Sequence, residues 1–97
     1  MGNELKVKFS DVSSKFLDSI TEKDKNRIKE KIKFIANYIS EYNLLLIKGV
    51  DIKRLSGSWE GYLRLRVGKI RIIFKYERND NELLIIGIDF RGNVYKK

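Results

Sequence analysis

The 97-residue sequence contains no cysteine and no histidine. Without cysteine there is no disulfide and no thiolate metal ligand, and without histidine there is no imidazole for proton transfer or metal binding. Serine and cysteine triads and ordinary zinc enzymes are therefore excluded, and no metal or other cofactor is expected. No apolar stretch approaches the ~20 residues that a bilayer span needs, and no basic leader precedes an apolar run. The expectation is a soluble, cytoplasmic protein with no membrane partner, consistent with the missing cysteine and a reducing compartment. Repeats, low-complexity tracts and linkers are also lacking, so residues 1–97 read as a single domain.

The chain is 42% hydrophobic and 35% charged, the composition of a folding sequence rather than a disordered one. Its net charge is +8, from 21 Lys and Arg against 13 Asp and Glu. A surplus of this kind favours an acidic partner, most often nucleic acid. Much of it is local: residues 53–75 carry Lys53, Arg54, Arg64, Arg66, Lys69, Arg71 and Lys75 against Glu60 alone. Arginine, the side chain suited to bidentate phosphate recognition, is concentrated after residue 50, whereas the first half is rich in lysine.

Leu5 to Phe9 alternates apolar and basic residues, as a half-buried strand does. Ser10 reads as an N-cap for a short helix whose apolar face is Val12, Phe16 and Ile20. Thr21 to Asp24 resembles a capping box opening a second helix, with its seam at Ile28, Ile32, Ile35, Ile39 and Tyr42, widened by Phe34 and Tyr38. After the apolar connection Leu44 to Ile47 and a turn at Gly49, residues 62–67 alternate strictly, turn at Gly68 and continue through residues 70–76. The run Leu83 to Ile88 is apolar at nearly every position, which predicts a central strand buried on both faces. The fold class is α+β: β-α-α-β-β-β, an antiparallel sheet with a helical hairpin packed on one face.

Strand parity turns Leu63, Leu65, Val67, Ile70, Ile72 and Phe74 inward. It gathers Tyr62, Arg64, Arg66, Lys69 and Arg71 on the opposite face, with Lys53 and Arg54 nearby. Two readings stay open: a solvated outer face, or a phosphate-binding surface whose polyanion relieves the repulsion between neighbouring cations. Trp59 and Tyr62 are either packing at the hairpin edge or platforms for bases.

Three segments then carry a resemblance. Asp51-Ile52-Lys53-Arg54-Leu55-Ser56-Gly57, the hairpin Gly61 to Phe74, and Ile88-Asp89-Phe90-Arg91-Gly92-Asn93-Val94-Tyr95 are similar to the RelE/ParE toxin superfamily, whose members show a leucine-glycine turn, an arginine-bearing hairpin and a closing Arg-to-Tyr motif. The resemblance extends to the N-terminal strand and helices. It implies the toxin of a type II toxin–antitoxin system. RelE-like members cleave mRNA, typically in the ribosomal A site, and ParE-like members inhibit DNA gyrase. The RelE-like reading implies metal-independent attack of the 2′-OH on the adjacent phosphorus, with mRNA, the ribosome and a cognate antitoxin as partners in a toxin–antitoxin hetero-oligomer.

On that resemblance, Arg71 matches the hairpin arginine on the scissile phosphate, Arg64 and Arg66 flank it, and Arg91 and Tyr95 complete the motif. The catalytic candidates are Arg64, Arg71, Arg91 and Tyr95. The substrate-binding candidates are Lys53, Arg54, Tyr62, Arg66, Lys69 and Phe90. Forked guanidiniums suit a charged phosphorane, but a guanidinium stays protonated and is no base. The base is left open among Lys53, Lys69 and Tyr95, with Asp51 and Glu60 as the nearby carboxylates. Phe90 stands where many members have histidine, and its ring is suited to stacking on a base or to packing. The other readings are a ParE-like gyrase inhibitor and a catalytically weak relative that binds RNA or antitoxin, the latter docking on Leu44, Leu45 and Ile47.

Overall fold

Ser10 ends the first strand and starts the first helix. The computed structural model describes residues 5–42 and 51–90. In it, β1 (Lys6–Phe9) presents Val7 and Phe9 to the core, with Lys6 and Lys8 exposed. The Ser10 hydroxyl accepts from the Ser13 N–H at 3.1 Å, capping α1 (Asp11–Ser19), and donates to the Ile86 carbonyl at 2.7 Å. The Thr21 hydroxyl likewise accepts from the Asp24 N–H at 3.2 Å and opens α2 (Glu22–Tyr42). Both caps satisfy amides that a helix leaves without internal partners.

Four further strands follow: β2 (Asp51–Arg54), β3 (Leu63–Val67), β4 (Ile70–Glu77) and β5 (Glu82–Phe90), with a short 3-10 turn at Gly57–Trp59. They form one sheet in the order β1-β5-β4-β3-β2. The α+β class and the helices packed against the sheet agree with the sequence reading. Two features enlarge it. Asp51–Arg54 is an edge strand antiparallel to β3, and β1 runs parallel to β5, so the sheet is mixed. The chain leaves one edge of the sheet at β1 and re-enters at the other edge as β2, with both helices between.

The core cluster joins Leu17 of α1 and Ile28, Ile32, Ile35, Ala36 and Ile39 of α2 to the inward side chains of β3, β4 and β5. The isoleucine seam of α2 is buried from Ile28 to Ile39. The expected face of α1 is rotated: Val12 is 68% exposed and Ser13 and Leu17 are buried instead. Ser13 can be buried because its hydroxyl donates to the Ile85 carbonyl at 3.4 Å. Phe34 lies outside the core, half exposed, with its ring 6.4 Å from Tyr38.

The apolar run of β5 is not central. β4 holds the middle of the sheet, and β5 lies between β1 and β4. Its burial alternates, with Leu83, Ile85 and Ile88 inward and Leu84 and Ile86 only half buried. The β4–β5 register slips at Ile86, where Ile73 pairs with Gly87 and Phe74 with Ile85. A bulge of this type shifts strand parity by one, which keeps both Ile85 and Ile88 on the core side. The carbonyl of the skipped residue is the acceptor for Ser10. Among the described residues, no helix is long and apolar enough to cross a membrane.

Candidate functional site

The register of the sheet determines which side chains stand together on the face turned away from the helices. One cross-strand row reads Asp51 (β2), Arg66 (β3), Arg71 (β4) and Asp89 (β5), each pair in direct register. The next reads Lys53, Arg64, Ile73 and Gly87. Tyr62 and Lys75 extend the face further, with the Lys75 ammonium 5.5 Å from the centre of the Tyr62 ring. The β3–β4 hairpin that aligns these rows closes through Gly68 and Lys69. Gly68 takes a φ of +61°, a left-handed conformation that strains a side chain with a Cβ.

Arg66 and Arg71 are cations directly opposite each other, an arrangement that destabilises a strand pair. A carboxylate relieves it. Asp51 accepts from Arg64 Nη2 at 2.7 Å through Oδ1, and its Oδ2 lies 2.6 Å from Arg66 Nη2. One acid thus gathers two guanidiniums from the neighbouring strand. Their environments differ: the Arg64 side chain is 15% exposed and that of Arg66 49%. Among the described residues, the buried Arg64 Nε has no hydrogen-bond partner. Ile73, opposite Arg64, is fully buried but lies outside the core cluster. Among the described residues, Arg71 makes only a long polar contact, from Nη1 to the Gly68 carbonyl at 3.5 Å.

At the other end of this face, Lys75 pairs with Glu77 at 3.0 Å and Lys8 with Glu82 at 2.8 Å. In each case the hydrogen bond to the glutamate, and then its charge, holds the lysine above its ordinary value of 10.5. The described residues contain no cluster of metal-ligating side chains.

Of the candidate residues, Lys53, Tyr62, Arg64, Arg66 and Arg71 share this outer face. Lys69 lies in the hairpin turn at its end. Arg54 and Phe90 do not join them. Arg54 pairs with Leu63 and so lies on the helix side of the edge strand, beside an open hollow of about 430 Å³ lined also by Glu60 and Tyr62. Phe90 pairs with Ile70, again on the helix side, and meets Phe16 edge to face with centroids 5.3 Å apart. The ring packs on Phe16 while the residue stays 42% exposed. Tyr62 also meets Trp59 edge to face at 5.6 Å. Arg91, Tyr95 and the patch Leu44, Leu45 and Ile47 lie outside the described residues.

Two acids complete the picture. Asp51 is the organiser of the arginines rather than an isolated surface carboxylate. Asp89 was visible in the sequence only as part of the closing motif, and counting parity from Ile88 places it outward, opposite Arg71.

No family model matches the chain, and no curated protein matches it either. Solved structures do. The RelE–RelB complex of the archaeon Pyrococcus horikoshii OT3 superposes with a TM-score of 0.71 at 24% identity, covering 93% of this chain and 98% of that one. The RelB–RelE antitoxin–toxin complex of Methanococcus jannaschii gives 0.63 at 25% identity, covering 91% and 94%. The isolated Escherichia coli RelE toxin gives 0.65 at 13% identity, covering 94% and 90%. The chain has the fold of the RelE-like toxins.

Proposed function

We propose that this protein is the toxin of a type II toxin–antitoxin pair and acts as a RelE-like endoribonuclease, cleaving mRNA in the ribosomal A site by metal-independent 2′-OH attack. The observation that carries the reading is the row Asp51–Arg66–Arg71–Asp89 beside Lys53 and Arg64, an outward cationic surface on a RelE-like fold. Arg66 and Arg71 present adjacent forks to one phosphate, and forked donors suit the charge that develops on a phosphorane. Arg64 is largely buried and held by Asp51, so its part is to fix the position of that carboxylate and, through it, Arg66. Arg91 and Tyr95 join the site on the strength of the motif. The protein works in the cytoplasm, as one domain, and is held in check by a cognate antitoxin in a hetero-oligomer. The solved neighbours that carry RelB or YefM in their complexes support that partner.

Purified protein added to ribosomes programmed with a defined message tests this. Cleavage within the A-site codon, ending in a 2′,3′-cyclic phosphate and a 5′-hydroxyl, is the expected result. Intact message together with arrested gyrase supercoiling would establish the ParE-like alternative. Intact message with retained RNA binding and active gyrase would establish a catalytically weak relative.

A further inference from the structure

We infer that Asp89 is the general base, taking the proton from the attacking 2′-OH. The inference rests on the endoribonuclease reading and names a group which that reading leaves unassigned. Strand register places four carboxylates on the outer face: Asp51, Glu77, Glu82 and Asp89. Three are engaged by cations. Asp51 is shared by Arg64 and Arg66, Glu77 holds Lys75, and Glu82 holds Lys8. In each of these, a carboxylate oxygen is already occupied by a cation. Asp89 differs. Its Oδ1 accepts a 2.7 Å hydrogen bond from the Phe90 N–H, and among the described residues no cation pairs with it.

Position strengthens the case. Asp89 is the direct cross-strand partner of Arg71, and such partners have Cβ atoms about 4.5–5.5 Å apart. A phosphate seated on Arg66 and Arg71 therefore lies beside Asp89, and its ribose 2′-OH is a neighbour of that phosphate by covalent structure. The remaining charged groups of the two rows, Lys53, Arg64, Arg66 and Arg71, are donors in their cationic forms. Among the described residues the carboxyl accepts one hydrogen bond, at Oδ1, which orients it and leaves Oδ2 for the substrate.

The step balances without metal or co-reactant. Oδ2 of Asp89 takes the 2′-OH proton as the 2′-oxygen bonds to phosphorus, and the P–O5′ bond breaks. The departing 5′-oxygen takes a proton from water, giving the 5′-hydroxyl and a 2′,3′-cyclic phosphate. The hydroxide left behind recovers the proton from Asp89.

Single-turnover cleavage of message on programmed ribosomes tests the role. Asp89→Asn keeps the acceptor for Phe90 N–H but removes the base. It is expected to cleave about 100-fold or more slowly, with unchanged affinity for the programmed ribosome and an unchanged melting temperature. Asp89→Ala is expected to be equally slow and to recover rate on addition of formate, a response that a purely structural aspartate would not give. Cleavage by Asp89→Asn within about threefold of wild type, or an Asp89→Ala enzyme that is slow and indifferent to formate, overturns the assignment while leaving the endoribonuclease reading intact. A wild-type protein that does not cleave removes both.

Discussion

Asp51 on β2 accepts from Arg64 on β3 at 2.7 Å, across the edge of the sheet and thirteen residues along the chain. With its second oxygen on Arg66, this carboxylate lets three arginines stand on adjacent strands. Removing its charge should have two opposed effects. Asp51→Asn frees two guanidiniums, so binding to non-specific RNA tightens and its salt dependence steepens by about one phosphate contact. Cleavage slows, because Arg66 loses its anchor. Anisotropy titrations across a salt series and single-turnover cleavage measure the two effects. A salt slope equal to wild type contradicts the clamp. The stability cost is modest, about 1 kcal/mol, because Asp51 is 39% exposed and solvent screens the pair.

Arg71 separates chemistry from folding. Among the described residues its one side-chain hydrogen bond is a long one to the turn carbonyl of Gly68, so Arg71→Ala should change stability by no more than about 0.5 kcal/mol. Loss of a charge stabiliser at the transition state should lower the cleavage rate by roughly 100- to 1000-fold. Urea unfolding and single-turnover cleavage, run on the same preparation, check both parts. A large loss of stability would instead assign the residue to the fold.

Much of this arrangement was legible in the sequence where the signal is local. The strict alternation of residues 62–67 sets the parity of Arg64 and Arg66, the turn at Gly68 carries it on to Arg71, and the isoleucine seam of α2 follows from helical spacing. What escaped is non-local. The parallel pairing of β1 with β5 joins residues more than seventy apart, and four-residue β2 is too short and polar to announce itself. The run Leu83 to Ile88 misled because apolar character at nearly every position hides both the bulge at Ile86 and the partial exposure of Leu84 and Ile86. Val12 misled for a related reason: a satisfied serine, Ser13, took the buried place that hydrophobicity had assigned to valine. At the site, the cations were readable and their organisation was not. The roles of Asp51 and Asp89 depend on register between strands.

Phe90 is a further test of facing. Its ring packs on Phe16 on the helix side of the sheet, so an imidazole placed there should not supply a catalytic group. Phe90→His is expected to leave the cleavage rate within about threefold of wild type and to cost roughly 0.5–1.5 kcal/mol through loss of the edge-to-face contact. A rate gain of tenfold or more would show that this side chain reaches the substrate.

The two lysine–glutamate pairs at the far end of the outer face predict alkaline sensitivity. Lys8 and Lys75 are held above 10.5 in the folded state by Glu82 and Glu77. A lysine whose value is raised by folding contributes stability fully below its unfolded value and loses that contribution as pH rises through the folded one. The contribution therefore persists to about pH 10.5 and fades above it. Thermal melts between about pH 9 and 12 should show a decline that is shallower in Glu82→Gln, where the partner of Lys8 no longer carries charge. Parallel curves for the two proteins would contradict the sign.

The central claim is that the outer arginine row serves RNA cleavage by the substrate's own 2′-hydroxyl. A message carrying one 2′-deoxy nucleotide at the cleaved position, presented on programmed ribosomes beside its all-ribose twin, tests it most directly. The account predicts a 2′,3′-cyclic phosphate from the all-ribose message and no cleavage at the deoxy position. Cleavage of both at equal rates, or of neither, contradicts it.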